Sequence, residues 1–232
     1  MKMTKKKVFV VALAICLIAT ISMGTLAWFT AQDEVENIFY VTNADKGEDA
    51  IFSVDVTEFV AGDGEDTKKP VDGSFTFEDI LPGDVLTKQP FVTNTGSYDQ
   101  FIRVTIKVSD LGAFKAYFGD NYKALVKSNL LGNLNIAKLE QASCEDDVAN
   151  DQLVFVFYIN EIVEPKESIE LFNKTMIPYG LTQKDFAETT LKDGFTIKIG
   201  AEALQTENLG DSGNAKDTFA YYEQFIATMP SK

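Results

Sequence analysis

Residues 81–108 read LPGDVLTKQPFVTNTGSYDQFIRVTIKV, and the division of this stretch into strands and turns decides the fold. Pro82 and Gly83 offer a fixed negative φ followed by a residue that takes positive φ without steric cost, the two requirements of a type II turn. After Gln89 and Pro90, Phe91, Val92 and Thr93 form a short β-favouring run. Asn94-Thr95-Gly96-Ser97 stops that run with two residues that tolerate left-handed backbone, so a reversal and hence a hairpin is predicted. The next run alternates Ile102, Val104, Ile106 and Val108 with Phe101, Arg103, Thr105 and Lys107. The first set should face a core and the second water.

Outward from this stretch the alternation recurs. Residues 51–59, IFSVDVTEF, set Phe52, Val54 and Val56 against Ser53, Asp55 and Thr57, a second half-buried strand. Residues 61–73 are rich in Gly, Asp and Lys and predict an exposed loop, with a short strand at 75–77 beyond it. After residue 110 the period changes: Tyr122, Leu125, Val126, Asn129 and Leu130 recur at helical spacing, and Gly132 is placed to cap the end. The acidic residues 140–151 read as a loop, whereas LVFVFYI at 153–159 is apolar on both faces, as a covered central strand would be. Strands at 169–172 and 195–204 follow, the latter with Phe195, Ile197, Ile199, Ala201 and Ala203 on one face. Asp217 can cap a last helix carrying Tyr222, Phe225, Ile226 and Met229 as a stripe. The expected fold is mainly β: a jelly-roll-like antiparallel β-sandwich of about eight strands, with a helical insertion at 110–132 and a short C-terminal helix.

The chain begins with Lys2, Lys5, Lys6 and Lys7 and then carries no charge from Val8 to Thr30, the charge order of a secretory signal. Small residues at Thr25-Leu26-Ala27 place the cut between Ala27 and Trp28; an uncleaved anchor is the alternative, since the uncharged run is long enough to cross a bilayer. Residues 1–27 are then a signal peptide and 28–232 one domain, a length that buries a sizeable core. The whole chain has 21 basic and 35 acidic residues. Losing the leader's four lysines leaves 17 against 35, a net charge of −18. Such a surface excludes nucleic acid as a partner, because binding it requires a basic footprint.

The sequence contains no histidine, which removes Ser-His-Asp and Cys-His catalysis and the HExxH zinc site. No phosphate-binding loop, dinucleotide fingerprint or CxxC pair is present, so no catalytic or cofactor-binding residue is assigned. Cys144 is the one cysteine outside the leader, which also holds Cys16, so no disulfide within the mature chain is expected. The densest acids, Asp63, Glu65 and Asp66 and then Glu145, Asp146 and Asp147, lack the ordered spacing of an EF-hand; weak calcium binding there is the alternative to solvated loop carboxylates. The 18 Phe and 8 Tyr read as core and cross-strand pairs rather than as a sugar-stacking platform.

LPGD at 81–84, followed by a short strand, VTNTGS at 92–97 and an alternating strand, resembles the central segment of the TasA/camelysin family of secreted bacterial biofilm-matrix and cell-surface proteins. GTLAWFTAQDEVENIF at 24–39 is similar to that family's signal-peptide junction, and FTIKIGAEALQTENL at 195–209 to its last core strand. The resemblance implies an exported protein of a Gram-positive bacterium that assembles into extracellular fibres. Its expected partners are copies of itself, an accessory matrix protein and a signal peptidase of the endoplasmic-reticulum type. Relatives of camelysin carry a metallopeptidase label, which the absence of histidine gives no reason to transfer. A secreted metalloprotease and a monomeric adhesion module remain the alternatives. Residues 28–41 have no tight hairpin to the next strand, so Trp28, Phe29, Val35, Ile38, Phe39, Tyr40 and Val41 form a candidate assembly strand, able to complete the protein's own sheet or a neighbour's.

Overall fold

The computed structural model describes residues 31–33, 53–61, 69–71, 77, 80–178, 195–206 and 213–227. In chain order these form β1 (Ala31–Asp33), β2 (Val54–Ala61), β3 (Lys69–Val71), β4 (Val85–Asn94), β5 (Gln100–Ser109), α1 (Leu111–Phe118), α2 (Tyr122–Leu130), β6 (Leu139–Asp147), β7 (Gln152–Ile159), β8 (Ser168–Glu170), β9 (Thr175–Met176), β10 (Ile197–Gln205) and α3 (Ala215–Ala227), with a 3-10 turn at Gly119–Asn121. One antiparallel sheet runs β1-β10-β5-β7-β6; the other runs β3-β2-β4-β8, and β9 adds to β4 beyond β8. The chain crosses between sheets at β1–β2, β4–β5, β7–β8 and β9–β10, giving a jelly-roll-like antiparallel sandwich with a helical insertion and a C-terminal helix.

Ile102, Val104, Ile106 and Val108 all point into the core at zero exposure, as their alternation requires. The opposite face is not uniformly wet. Phe101 is buried there with Leu204, beneath Ala215 and Phe219 of α3. Pro82 and Gly83 do form the expected turn, with Gly83 at φ 98 and Asp84 N–H donating to Leu81 O at 3.1 Å.

The 81–108 stretch is not a hairpin. β4 pairs with β2 and β8, and β5 pairs with β10 and β7, so residues 95–99 form an arch from one sheet to the other. Neither Asn94 nor Gly96 adopts positive φ. The reversal is made by the Asn94 side chain, whose Oδ1 accepts from Gly96 N–H at 2.9 Å and whose Nδ2 donates to Tyr98 O at 2.7 Å and to Val163 O at 2.8 Å. β4 is also longer than the Phe91–Thr93 run. Its inward positions include Lys88, 8% exposed, which grips both oxygens of the Glu58 carboxylate at 2.6 Å. Pro90 lies inside the strand, and its carbonyl accepts from Leu171 N–H. In an antiparallel ladder a residue's N–H and C=O point the same way. The donor that Pro90 lacks therefore faces the side where the neighbouring strand is split into β8 and β9.

Parts of two expected loops, 61–73 and 140–151, are strand instead. Lys69–Val71 pairs with Glu58, Phe59 and Val60 of β2, and residues 139–147, acidic as they are, form β6 at the edge of the first sheet. Edge strands tolerate and use such charges, which is why the composition misleads. β7 buries Leu153, Phe155, Phe157 and Ile159, while Val154, Val156 and Tyr158 on its other face are only half-buried. It stands next to the edge strand rather than at the centre. Phe77 is in no strand, and residues 75 and 76 and Phe52 lie outside the described ones.

In α2 only Val126 and Leu130 of the five spaced residues are fully buried. α1 precedes it, burying Leu111, Ala113 and Phe114. The N-terminus of α1 is capped from afar: Asp151, in the β6–β7 turn, accepts from Gly112 N–H through Oδ1 at 2.9 Å and from Leu111 N–H through its carbonyl. Gly132 is no helix cap with positive φ; it bridges Lys174, and a Cβ there would stand 2.7 Å from Lys174 Cγ and 3.0 Å from its carbonyl oxygen. In α3 the cap is Asn214 rather than Asp217. Asn214 Oδ1 accepts from Asp217 N–H, and Asp217 Oδ2 accepts from Asn214 Nδ2, both at 2.9 Å, a reciprocal capping pair. The helix buries Ala215, Thr218 and Phe219, whereas Ile226 is exposed; the side chain of Phe225 and all of Met229 lie outside the described residues.

Val104 sits between Phe157 and Ala201 at zero exposure. Val104→Asp, which places an unpaired charge in that core, should destabilise the domain by about 3–5 kcal/mol or abolish its folding. Chemical denaturation checks this, and near-normal stability would refute the placement of that face.

Candidate assembly interface

A sandwich has two seams where the edges of its sheets meet, and here they are closed by different means. At the first seam, β10 pairs along all nine residues with β5 on one side and with Ala31–Asp33 of β1 on the other, in the register Ala31 to Ala203, Gln32 to Glu202 and Asp33 to Ala201. Cα atoms of both β10 and β1 come within 8 Å of β2 in the opposite sheet. Packed sheets ordinarily stand about 10 Å apart. The approach is closer here because the inward residues of β10 are Ala201 and Ala203, 1% and 0% exposed. Small side chains thus draw the two sheets together where the N-terminal segment enters. The same end of β10 is braced from outside: Arg103 donates through Nε to Glu202 at 2.6 Å, pairs with Glu223 of α3, and lays its guanidinium over Phe219 at 4.6 Å.

At the second seam the covalent helical insertion fills the gap. Phe114, Val126 and Leu130 join the same core as Phe155 and Ile169 from the two sheets. Toward the second sheet, Thr175 Oγ1 donates to Leu130 O at 2.8 Å, Gly132 N–H to Lys174 O at 2.9 Å, and Asn135 N–H to Leu171 O at 2.9 Å. Toward the first, Asp146 on β6 receives Lys115 Nζ at 2.6 Å, Tyr122 Oη at 2.6 Å and Lys123 Nζ at 3.2 Å. The Lys115 hydrogen bond, then that of Tyr122, holds the Asp146 carboxyl at about 2, below the usual 3.8. Burial, opposed in part by the charge of Lys123, pushes the Cys144 thiol up, so it is a weak nucleophile.

The expected cleavage pair Ala27 and Trp28, the assembly residues Trp28, Phe29, Val35, Ile38, Phe39, Tyr40 and Val41, and the acids Asp63, Glu65 and Asp66 all lie outside the described residues. From the 28–41 segment only Ala31–Asp33 is described, and within a single chain it completes its own sheet. Glu145, Asp146 and Asp147 are on β6 rather than in a loop, and among the described residues no group of three or more acids or cysteines converges as a metal site. Among the same residues no helix is long and apolar enough to cross a membrane. The lysines of the insertion are functional residues that no motif marks; the signal in the sequence is the spacing of four between Lys123 and Lys127, which sets them on one face of α2. Compared with family models, curated proteins and solved structures, the chain matches none.

The depressed Asp146 carboxyl has a pH consequence. A carboxyl whose folded pKa lies below its unfolded value adds stability above the unfolded pKa and loses it as pH falls through the folded one. The stability difference between the protein and Asp146→Asn should therefore be constant from about pH 5 to 9 and shrink between about pH 4 and 2. Urea titrations across that range measure it; a difference insensitive to acid would show that Asp146 is not paired.

Proposed function

We propose that this is an exported structural protein of a bacterial cell surface or biofilm matrix, cleaved after Ala27, whose freed N-terminal strand can exchange into the first seam of a neighbouring copy to build fibres. The observation that carries the reading is the way β1 completes the fold. It is a three-residue contribution to β10, entering where Ala201 and Ala203 leave room beside β2, and it is joined to the rest of the domain by a long connection rather than a tight turn. An identical strand from a second molecule can take the same register, and because donor and acceptor are different surfaces the contact repeats head to tail. The leader's charge order and the resemblance of residues 24–39, 81–108 and 195–209 to the TasA/camelysin group support export and a matrix role. The lack of histidine and of recognisable catalytic motifs favours this over a peptidase. The excess of acids favours self-association that depends on cations or salt.

Sequencing of the exported product should begin at Trp28; a product retaining residues 8–23 would instead be membrane-anchored. Deleting residues 28–40 should give a folded protein that forms no fibres alone and binds a synthetic peptide of that segment, seen by electron microscopy and sedimentation. Fibres from the truncated protein would overturn the exchange mechanism, and failure to fold would assign the strand to its own sheet permanently.

A further inference from the structure

The geometry points to the helical insertion as a guard on the β6 edge, excluding a second copy of this chain from pairing there. β6 is nine residues long and has a partner, β7, on one side in the sheet order, so half of its main-chain groups point away from the sheet. An edge of that length is a template for another strand. Its acids, Glu140 at one end and Glu145, Asp146 and Asp147 at the other, repel a second acidic copy, but Gln141-Ala142-Ser143-Cys144 between them is uncharged. Lysines from α2 fall on both ends of this gap. Lys123 Nζ donates to the main-chain carbonyl of Cys144 at 2.9 Å, and Lys127 Nζ, one helical turn on, donates to Gln141 Oε1 at 2.8 Å. The register also shifts between Gln141 and Ser143, a bulge that bends the edge at the same place. Bulge and the two lysines reaching from α2 therefore coincide on the one uncharged stretch of the strand. Lys123 is held in position by its second contact, to Asp146, which Lys115 and Tyr122 fix in turn.

The guard acts on β6 and stands whether or not the N-terminal strand exchanges on β10, and the two are separable by where protection appears. In Lys123→Ala/Lys127→Ala, alanine keeps the helix while removing both contacts. This variant should form concentration-dependent dimers in sedimentation, with amides 141–144 exchanging at least about tenfold more slowly than in the parent protein. Lys123→Arg/Lys127→Arg, which restores cationic donors, should behave as the parent. If the double alanine variant loses its near-ultraviolet dichroism, Lys123→Ala alone is read in the same way. A folded variant with parental mass and parental exchange at 141–144 would overturn the proposal, as would association whose new protection lies on β10.

Discussion

The side chain of Asn94 holds the two sheets in their relation. It has no exposure, and its three hydrogen bonds, to Gly96, Tyr98 and Val163, consume both amide hydrogens and its oxygen. Its main chain is equally committed, donating to Glu167 O at 3.0 Å and accepting from Lys166 N–H at 2.7 Å. The chain turns here from β4 into β5, the two longest strands, which lie on opposite sides of the core. The connection at the start of β8 is tied to the same point. Removing the amide would take a partner from Gly96 N–H, from the Tyr98 carbonyl and from Val163 O, which keeps Gln100 N–H, at about 1–3 kcal/mol for a buried group left unpaired, and would release the arch that places every inward residue of β5.

The faces of the strands were easier to read than their partners. The alternation of Ile102 to Val108 is a local property of period two and fixes which side is buried without reference to any other strand. Whether β4 and β5 pair is not local: a turn and an arch use the same Asn, Gly and Ser, and they differ in whether the inward faces of the flanking strands lie in one plane or oppose each other. β4 itself was concealed because Lys88 and Pro90 occupy inward positions, interrupting the apolar rhythm that Leu86 and Val92 would otherwise announce. The lysine is tolerable only because Glu58, thirty positions away, supplies both carboxylate oxygens, a compensation invisible from either residue's own neighbourhood.

At the seams the reverse holds. Alternation places Ala201 and Ala203 on one face of a strand, yet their small size acquires meaning only once β2 is placed opposite. The acids of β6 look like solvated loop residues because charge and loop usually go together. In this protein they belong to an edge, and the cations answering them come from helices that the chain has already folded back across the sandwich.

The pairing of Ala31 with Ala203 joins nearly opposite ends of the described chain. Of the described strands, β1 is synthesised first and its partner, β10, last. Arg103 and Glu202, 99 positions apart, must likewise wait for each other. Long-range closures of this kind are slow. Until β10 is complete, β1 has no partner in its own sheet, so the first sheet is finished at that edge last.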